Sequence, residues 1–204
     1  MKKTLIQKSR GRPRAFDVDR ALEQAMRIFW KKGFEGTSLP DLTDAMGINR
    51  PSLYSAFGNK QSLFRKAVDR YVEQGARRFE EAMSLPTARE SIETVMRNSI
   101  GSCSTGKQRG CLLVQGAMCG SEESECVRED LANRRAAIQT ALQRRFDKAL
   151  LDGEQLPTKN TAELARYFAT VMHGMAVQSV GTVQRDQLLA VVDLAMRVWP
   201  ERHR

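Results

Sequence analysis

From Phe16 onward Val18, Leu22, Ala25, Met26 and Phe29 recur at helical spacing with polar residues between them. This predicts a first helix over about residues 18 to 32, capped by Asp17 and ended by Gly33. Leu39, Leu42 and Met46 mark the inward face of a short second helix, and Leu53 with Phe57, at i and i+4, that of a short third. A long fourth helix opens at Asn59 or Lys60. It carries Leu63, Phe64, Ala67, Val68, Tyr71, Val72 and Phe79 on one side until Pro86 stops it. Thr87-Ala-Arg-Glu90 is a capping box, followed by Ile92, Val95, Met96 and Ile100 on a fifth helix. Residues 101 to 109 read as a loop, and Cys111 to Cys119 as a short apolar segment. Val127, Leu131, Ile138, Leu142, Phe146 and Leu150 then trace a long amphipathic helix that Gly153 closes. Two more helices follow near 160 to 182 and 187 to 199, with Pro200 ending the last. No strand-like alternation and no repeat of fixed period appears, so the expected fold is all-α with about nine helices.

Charge is distributed unevenly along the chain. With 204 residues, 41% hydrophobic and 28% charged, the chain is long enough to bury a sizeable core. The net charge is +9. Residues 1 to 14 hold Lys2, Lys3, Lys8, Arg10, Arg12 and Arg14 without an acid, whereas residues 15 to 60 hold six basic and six acidic side chains. The excess is therefore concentrated in an N-terminal arm suited to phosphate or minor-groove contact, or serving only as a solubilising leader. Arg10-Gly-Arg-Pro-Arg14 resembles the core of an AT-hook, whose arginines lie in a narrow minor groove. The opening residues lack the ~7–15-residue apolar run of a signal peptide. No stretch approaches the ~18 apolar residues of a membrane span, so a cytoplasmic location is expected, with no membrane partner.

Residues 37 to 60 have the layout of a DNA-reading helix-turn-helix. Thr37 or Ser38 caps the first of its helices, Pro40 falls in the first turn, and Gly47 takes the positive φ of a sharp turn. Asn49 and Pro51 open the second helix, whose Leu53 and Phe57 anchor it from behind, leaving Asn49, Arg50, Ser52 and Tyr54 to meet a ligand. The guanidinium of Arg50 has the planar fork that reads guanine O6 and N7, or it touches phosphate as an ordinary surface arginine. Asn49 either caps its helix or bonds a base edge. Pro51 suits a thymine methyl, while Ser52 and Tyr54 suit phosphate oxygens. Lys60 adds charge at a helix start that already favours an anion, and Thr37 is placed to do the same at the preceding helix. One such short helix spans too few base pairs for useful specificity, so two copies and a palindromic operator are expected.

Gly33-Phe-Glu-Gly-Thr-Ser-Leu39 together with Met46-Gly-Ile-Asn-Arg-Pro-Ser-Leu-Tyr-Ser-Ala-Phe-Gly-Asn-Lys60 resembles the DNA-binding domain of TetR-family regulators over residues 16 to 68. Pro51 and Ala56 stand where that family more often has glycine and histidine. The resemblance implies a homodimeric transcriptional repressor. It divides the chain into a basic arm (1–14), a helix-turn-helix domain (15–62) and a helical effector-binding and dimerisation domain (63–204). Ala165, Ala169 and Ala176, small enough for close helix approach, and Leu188, Val192 and Met196, which add apolar area, are the expected dimer contacts, or else face the protomer's own core.

For the effector, two readings stand. Cys103, Cys111, Cys119 and Cys126 are separated by seven, seven and six residues, unlike zinc-binding pairs, and no metal or cofactor is expected. Cys111 follows Lys107, Arg109 and Gly110, a setting that favours a thiolate. Continuous helix would hold Cys111 and Cys119 about 12 Å apart, beyond disulfide reach, whereas Cys111 with Cys103 across the loop is permitted. Gly-Cys-Leu-Leu-Val followed by a second cysteine is similar to electrophile-sensing members of the family such as the repressor of N-ethylmaleimide reductase. Small buried cysteines, however, are also ordinary core residues. The other reading is a small-molecule pocket walled by Met96, Ile100, Phe146, Phe168, Met172 and Met175, although such side chains equally form core. Outside regulation, the rivals are a thiol oxidoreductase using Cys111 and a non-specific architectural DNA binder. No phosphate loop, nucleophile–histidine pair or paired carboxylates support an enzyme.

Overall fold

The computed structural model describes residues 16–100 in full, the backbone of 101–104, and residues 110–115 and 124–200. Arg10, Arg12, Arg14, Cys119 and the side chain of Cys103 lie outside the described residues. Nine helices run through the described residues: α1 (Val18–Lys32), α2 (Leu39–Met46), α3 (Arg50–Phe57), α4 (Lys60–Met83), α5 (Ala88–Ser104), α6 (Leu112–Gln115), α7 (Glu125–Leu151), α8 (Thr161–Gln178) and α9 (Arg185–Met196).

Local chemistry sets most of these boundaries. Asp17 starts α1 by accepting the backbone N–H groups of Asp19 and Arg20 at 2.9 and 3.1 Å. Glu90 and Thr87 exchange backbone hydrogen bonds at the start of α5 as the capping box requires. One boundary differs from expectation. The loop read over 101–109 begins later, because α5 continues through Gly101 and Ser102 to Ser104, placing Cys103 on its last turn. Weak intrinsic helix formers are carried there by a helix already packed against α4, α8 and α9.

Two apolar cores result. The first joins α1, α2, α3 and the start of α4 through Phe29, Trp30, Phe34, Leu42, Leu53, Phe57, Phe64 and Val68, and it also takes in Leu112, Leu113, Val127 and Leu131. The second lies among α5, α7, α8 and α9, around Met96, Phe146, Phe168, Met172, Val192 and Trp199. The 24-residue α4 belongs to both, since Leu63 to Val68 enter the first and Ala82 the second. At 1.5 Å per residue it is a shaft of roughly 36 Å joining them. Val72, expected on its inner side, is exposed.

Buried Arg145 stitches the α4–α5 corner to α7. It donates to Ser91 Oγ at 3.1 Å, to the Leu85 and Pro86 carbonyls at 3.2 Å, and to Glu154 at 3.3 Å. The Glu154 carboxylate also accepts the Ala88 N–H at 2.7 Å, so the charge pair closes a helix start.

Candidate nucleic-acid interface and effector region

The turn between α2 and α3 is built as its sequence demands. Ser38 Oγ accepts the Asp41 N–H while the Asp41 carboxylate accepts the Ser38 N–H at 3.0 Å, a reciprocal cap. Lys32 holds the same carboxylate at 2.5 Å. The Lys32 hydrogen bond, then those from Ser38, keep Asp41 well below the usual carboxylate range. Gly47 adopts the left-handed conformation at φ 66°, and a side chain there would be strained although space is open. Asn49 Oδ1 then accepts the Ser52 N–H at 2.9 Å and opens α3. This oxygen is the cap, and the NH2 group of the same side chain takes no part in it. Asn49→Ala is therefore expected to cost about 1 kcal/mol, read in denaturant unfolding, while Asn49→Ser, which keeps a capping oxygen, restores most of it.

Leu53 and Phe57 are buried behind α3, whereas Asn49, Arg50, Pro51 and Tyr54 are exposed and Ser52 is half-exposed. Tyr54 keeps 48% of its surface open. α3 thus presents a polar ledge on an apolar wedge. Lys60 lies at the start of α4, its ammonium 4.5 Å from the centre of the Phe34 ring. Thr37 is a correction: its side chain is 1% exposed and its hydroxyl donates inward to the Gly33 carbonyl at 2.6 Å. The cap belongs to Ser38, and the Thr37 side chain has no open surface for phosphate.

The scaffold behind the ledge is held by ring contacts and ion pairs that join helices far apart in the chain. Phe64 packs edge-on against Phe29 at 5.0 Å and Phe34 at 5.2 Å. Glu23 receives Arg70 and Gln74 from α4, both at 2.9 Å, and Arg27 from its own helix. Burial acts to raise the Glu23 carboxyl, but these three hydrogen bonds outweigh it and hold the group below its usual range. α4 is tied in turn to α7, where Arg134 bridges Asp69 at 2.6 Å and Asp130 at 3.1 Å. Their partners lie far away in sequence, so no local signal marks them.

Cys111 is half-buried, outside any disulfide and immediately before α6. The Tyr71 phenol donates to its Sγ at 3.4 Å, and the Tyr71 ring meets that of Trp30 edge-on at 4.8 Å. Residues 110–115 therefore rest directly on α1 and α4. The other candidates sit elsewhere. Met96, Ile100, Phe146, Phe168, Met172 and Met175 are buried in the second core, where Trp199 closes against Phe146 and Phe168 at 6.2 and 5.7 Å. Of these, Ile100 and Met175 also border a small cleft. A cleft lined by Ser99, Ile100, Met175, Ala176 and Leu188 holds about 140 Å3, its open mouth included. Ligand pockets usually hold about 300 Å3 or more.

The candidate dimer contacts face the protomer's own core, the second of the two alternatives their sequence allowed. Ala165, Leu188, Val192 and Met196 belong to the protomer's second core, and Ala169 and Ala176 are equally buried. The apolar side chains left open on this part of the molecule are Tyr167, Val177, Val180, Val191, Leu194 and Val198. On α9 the inward positions 188, 192, 195 and 196 and the outward positions 191 and 194 divide one helix into two apolar faces.

An exposed polar recognition helix, wedged from behind and braced on a long shaft, defines a helix-turn-helix regulator of DNA. Residues 21–67 match the model of the bacterial regulatory proteins of the tetR family. The chain is 33% identical over 201 residues to the HTH-type transcriptional repressor ComR of Escherichia coli K12, covering 96% of this chain and 95% of that protein. The chain belongs to the TetR family of transcriptional regulators, which are not enzymes. Its fold also matches a cysteine-substituted form of the TetR family regulator CifR solved with a 26-bp operator duplex, at TM-score 0.89 and 42% identity over 93% of this chain and all of that one. The reduced form of Escherichia coli NemR shares the fold alone, at TM-score 0.79 and 16% identity over 92% of this chain and 98% of that one.

Proposed function

We propose that this protein is a cytoplasmic, homodimeric repressor that binds a palindromic operator through α3 and is released when an electrophile or oxidant modifies Cys111. The observation that carries the DNA half of this reading is the α3 ledge, with Arg50, Pro51 and Tyr54 open above buried Leu53 and Phe57. The operator-bound CifR relative supports it. The N-terminal arm, with Arg10, Arg12 and Arg14, adds sequence-tolerant affinity through phosphates or the minor groove. No described helix is long and apolar enough to cross a membrane.

Dimerisation through the open apolar face of α8 and α9 supplies the second reading helix that operator specificity needs. Cys111 is favoured as the sensor because it touches the first core through Tyr71. Two of the cysteines substituted in the CifR chain are eight positions apart, the separation of Cys103 and Cys111 here.

Footprinting on the DNA upstream of the protein's own gene, with and without N-ethylmaleimide, tests the whole reading. Protection that disappears on alkylation of the wild type and persists in Cys111→Ser is the expected result. Protection unaffected by alkylation would remove the thiol sensor. At the interface itself, Arg50→Ala is expected to weaken operator binding by about 1–3 kcal/mol and to relax the preference at one base pair per half-site, read by fluorescence anisotropy on a set of substituted duplexes. Equal weakening on every duplex would assign Arg50 to phosphate instead.

A further inference from the structure

Trp30 lies in the last turn of α1, and its indole N–H donates to the carbonyl of Gly110 at 3.2 Å, with both residues buried. The segment that receives this bond is gripped from four sides. Tyr71 of α4 donates to Cys111 Sγ, and Arg135 of α7 donates to the Leu113 carbonyl at 2.5 Å. A Cβ on Gly110 would come within 2.7 Å of Val180 Cγ2, beyond the end of α8, and its φ of 86° also favours glycine. Leu112 and Leu113 continue into the core beneath the helix-turn-helix. Residues 110–115 are thus a wedge between the reading head and the edge of the open α8–α9 face.

We propose that Trp30 is the residue through which the reading head registers the state of Cys111. The inference rests on the thiol-sensor reading above and specifies its route through α1. Trp30 meets the wedge in two ways, by its hydrogen bond to Gly110 and by its edge-on contact with Tyr71, the phenol that touches the sulfur. A close-packed interior does not absorb added volume, so an adduct on the half-buried Cys111 displaces Tyr71 or the 110–111 backbone, and each is in contact with Trp30. Three residues beyond Trp30, α1 ends at Gly33, and Phe34 then packs against Phe29 and Phe64 before α2 begins at Leu39. Movement of Trp30 therefore reaches the mount of the helix-turn-helix. In this route the seated wedge is the DNA-competent arrangement, and unseating it favours release.

The coupling is the difference in duplex affinity between modified and unmodified protein. The probe is N-ethylmaleimide. The Cys111 thiolate adds to one alkene carbon and the other takes a proton from solvent, with no leaving group or oxidant. Complete adduct formation on the Cys111 peptide is verified by mass spectrometry, and affinity for the tightest duplex the protein selects from a randomised pool is then measured by fluorescence anisotropy before and after treatment, with Cys111→Ser treated alike to report the other cysteines. In the wild type, alkylation of Cys111 is expected to weaken duplex binding about tenfold. In Trp30→Phe, which keeps a ring but removes the indole N–H, the weakening is expected to fall below about twofold. A Trp30→Phe protein that retains the full weakening overturns the assignment of Trp30 while leaving the thiol sensor standing. Absence of weakening in the wild type overturns the thiol reading itself and this inference with it. Hydrogen exchange in the wild type keeps the test independent of the variant's folding. Amides of residues 28–34 are expected to exchange faster after alkylation, and unchanged exchange there also overturns the proposal.

Discussion

Leu194→Glu is expected to yield a folded monomer that binds operator at least a hundredfold more weakly than the wild type. Leu194 is 62% exposed on the outer face of α9, so the charge enters solvent rather than core. Surface changes of that kind usually alter folding stability by less than about 0.5 kcal/mol. In a two-fold dimer joined through this face, each glutamate would be desolvated near its own symmetry mate or against Tyr167, Val177 and Val191 of the partner protomer, which penalises assembly strongly. Loss of the second reading helix then removes the effective-concentration advantage of two linked half-sites, worth roughly 10²–10⁴ in affinity. Sedimentation equilibrium measures the assembly and gel retardation the binding. A variant that remains dimeric with unchanged affinity would exclude this face as the interface. By contrast, truncating Val192 or Met196 on the inner face would damage the protomer's own core before it said anything about dimerisation.

The second large effect is expected from Phe64→Ala. Phe64 is fully buried where α4 enters the first core, and its ring is the shared partner of Phe29 and Phe34. Phenylalanine-to-alanine changes in cores cost about 3–5 kcal/mol. The loss falls on the small unit that carries α2 and α3, while the second core around Phe146, Phe168 and Trp199 keeps its own packing. The reading head is therefore expected to melt well below the remainder. Denaturant unfolding should show an early transition, and gel retardation should fail at temperatures where sedimentation still reports a dimer. A single transition displaced as a whole would instead show the two cores to be energetically one, coupled through α4, α7 and the Arg134 bridges.

What separates legible from illegible residues in this protein is the range of the interaction that decides each. Asp17, Ser38, Asn49 and Asn59 bond to backbone groups within three residues of themselves, and Gly47 needs its conformation because of the two helices it joins. Such features are written locally, as is the buried Leu53 and Phe57 edge of α3. The two faces of α9 are not. Leu188, Val191, Val192, Leu194 and Met196 are all apolar, and helical periodicity distinguishes core from interface only where one side is polar. The same ambiguity left residues such as Met96, Phe146 and Phe168 readable as core or as pocket wall, and only the folded packing, in which Phe146, Phe168 and Trp199 meet one another, places them in a core. Thr37 and Ser38 are equally good capping types, and packing beneath Phe34 and Gly33 chose which hydroxyl turned inward.

The amino-acid order alone determined the period, caps and turns of most of the described helices and the exposed polar ledge of α3, because each depends on neighbours within about one or two helical turns. Tertiary structure alone decided which apolar faces are core and which remain open. It also brought Trp30 and Tyr71, 80 and 40 residues away from their partners, onto Gly110 and Cys111. Burial and long-range hydrogen bonds are properties of the folded packing, and a linear pattern can offer the residues for them without saying which will meet.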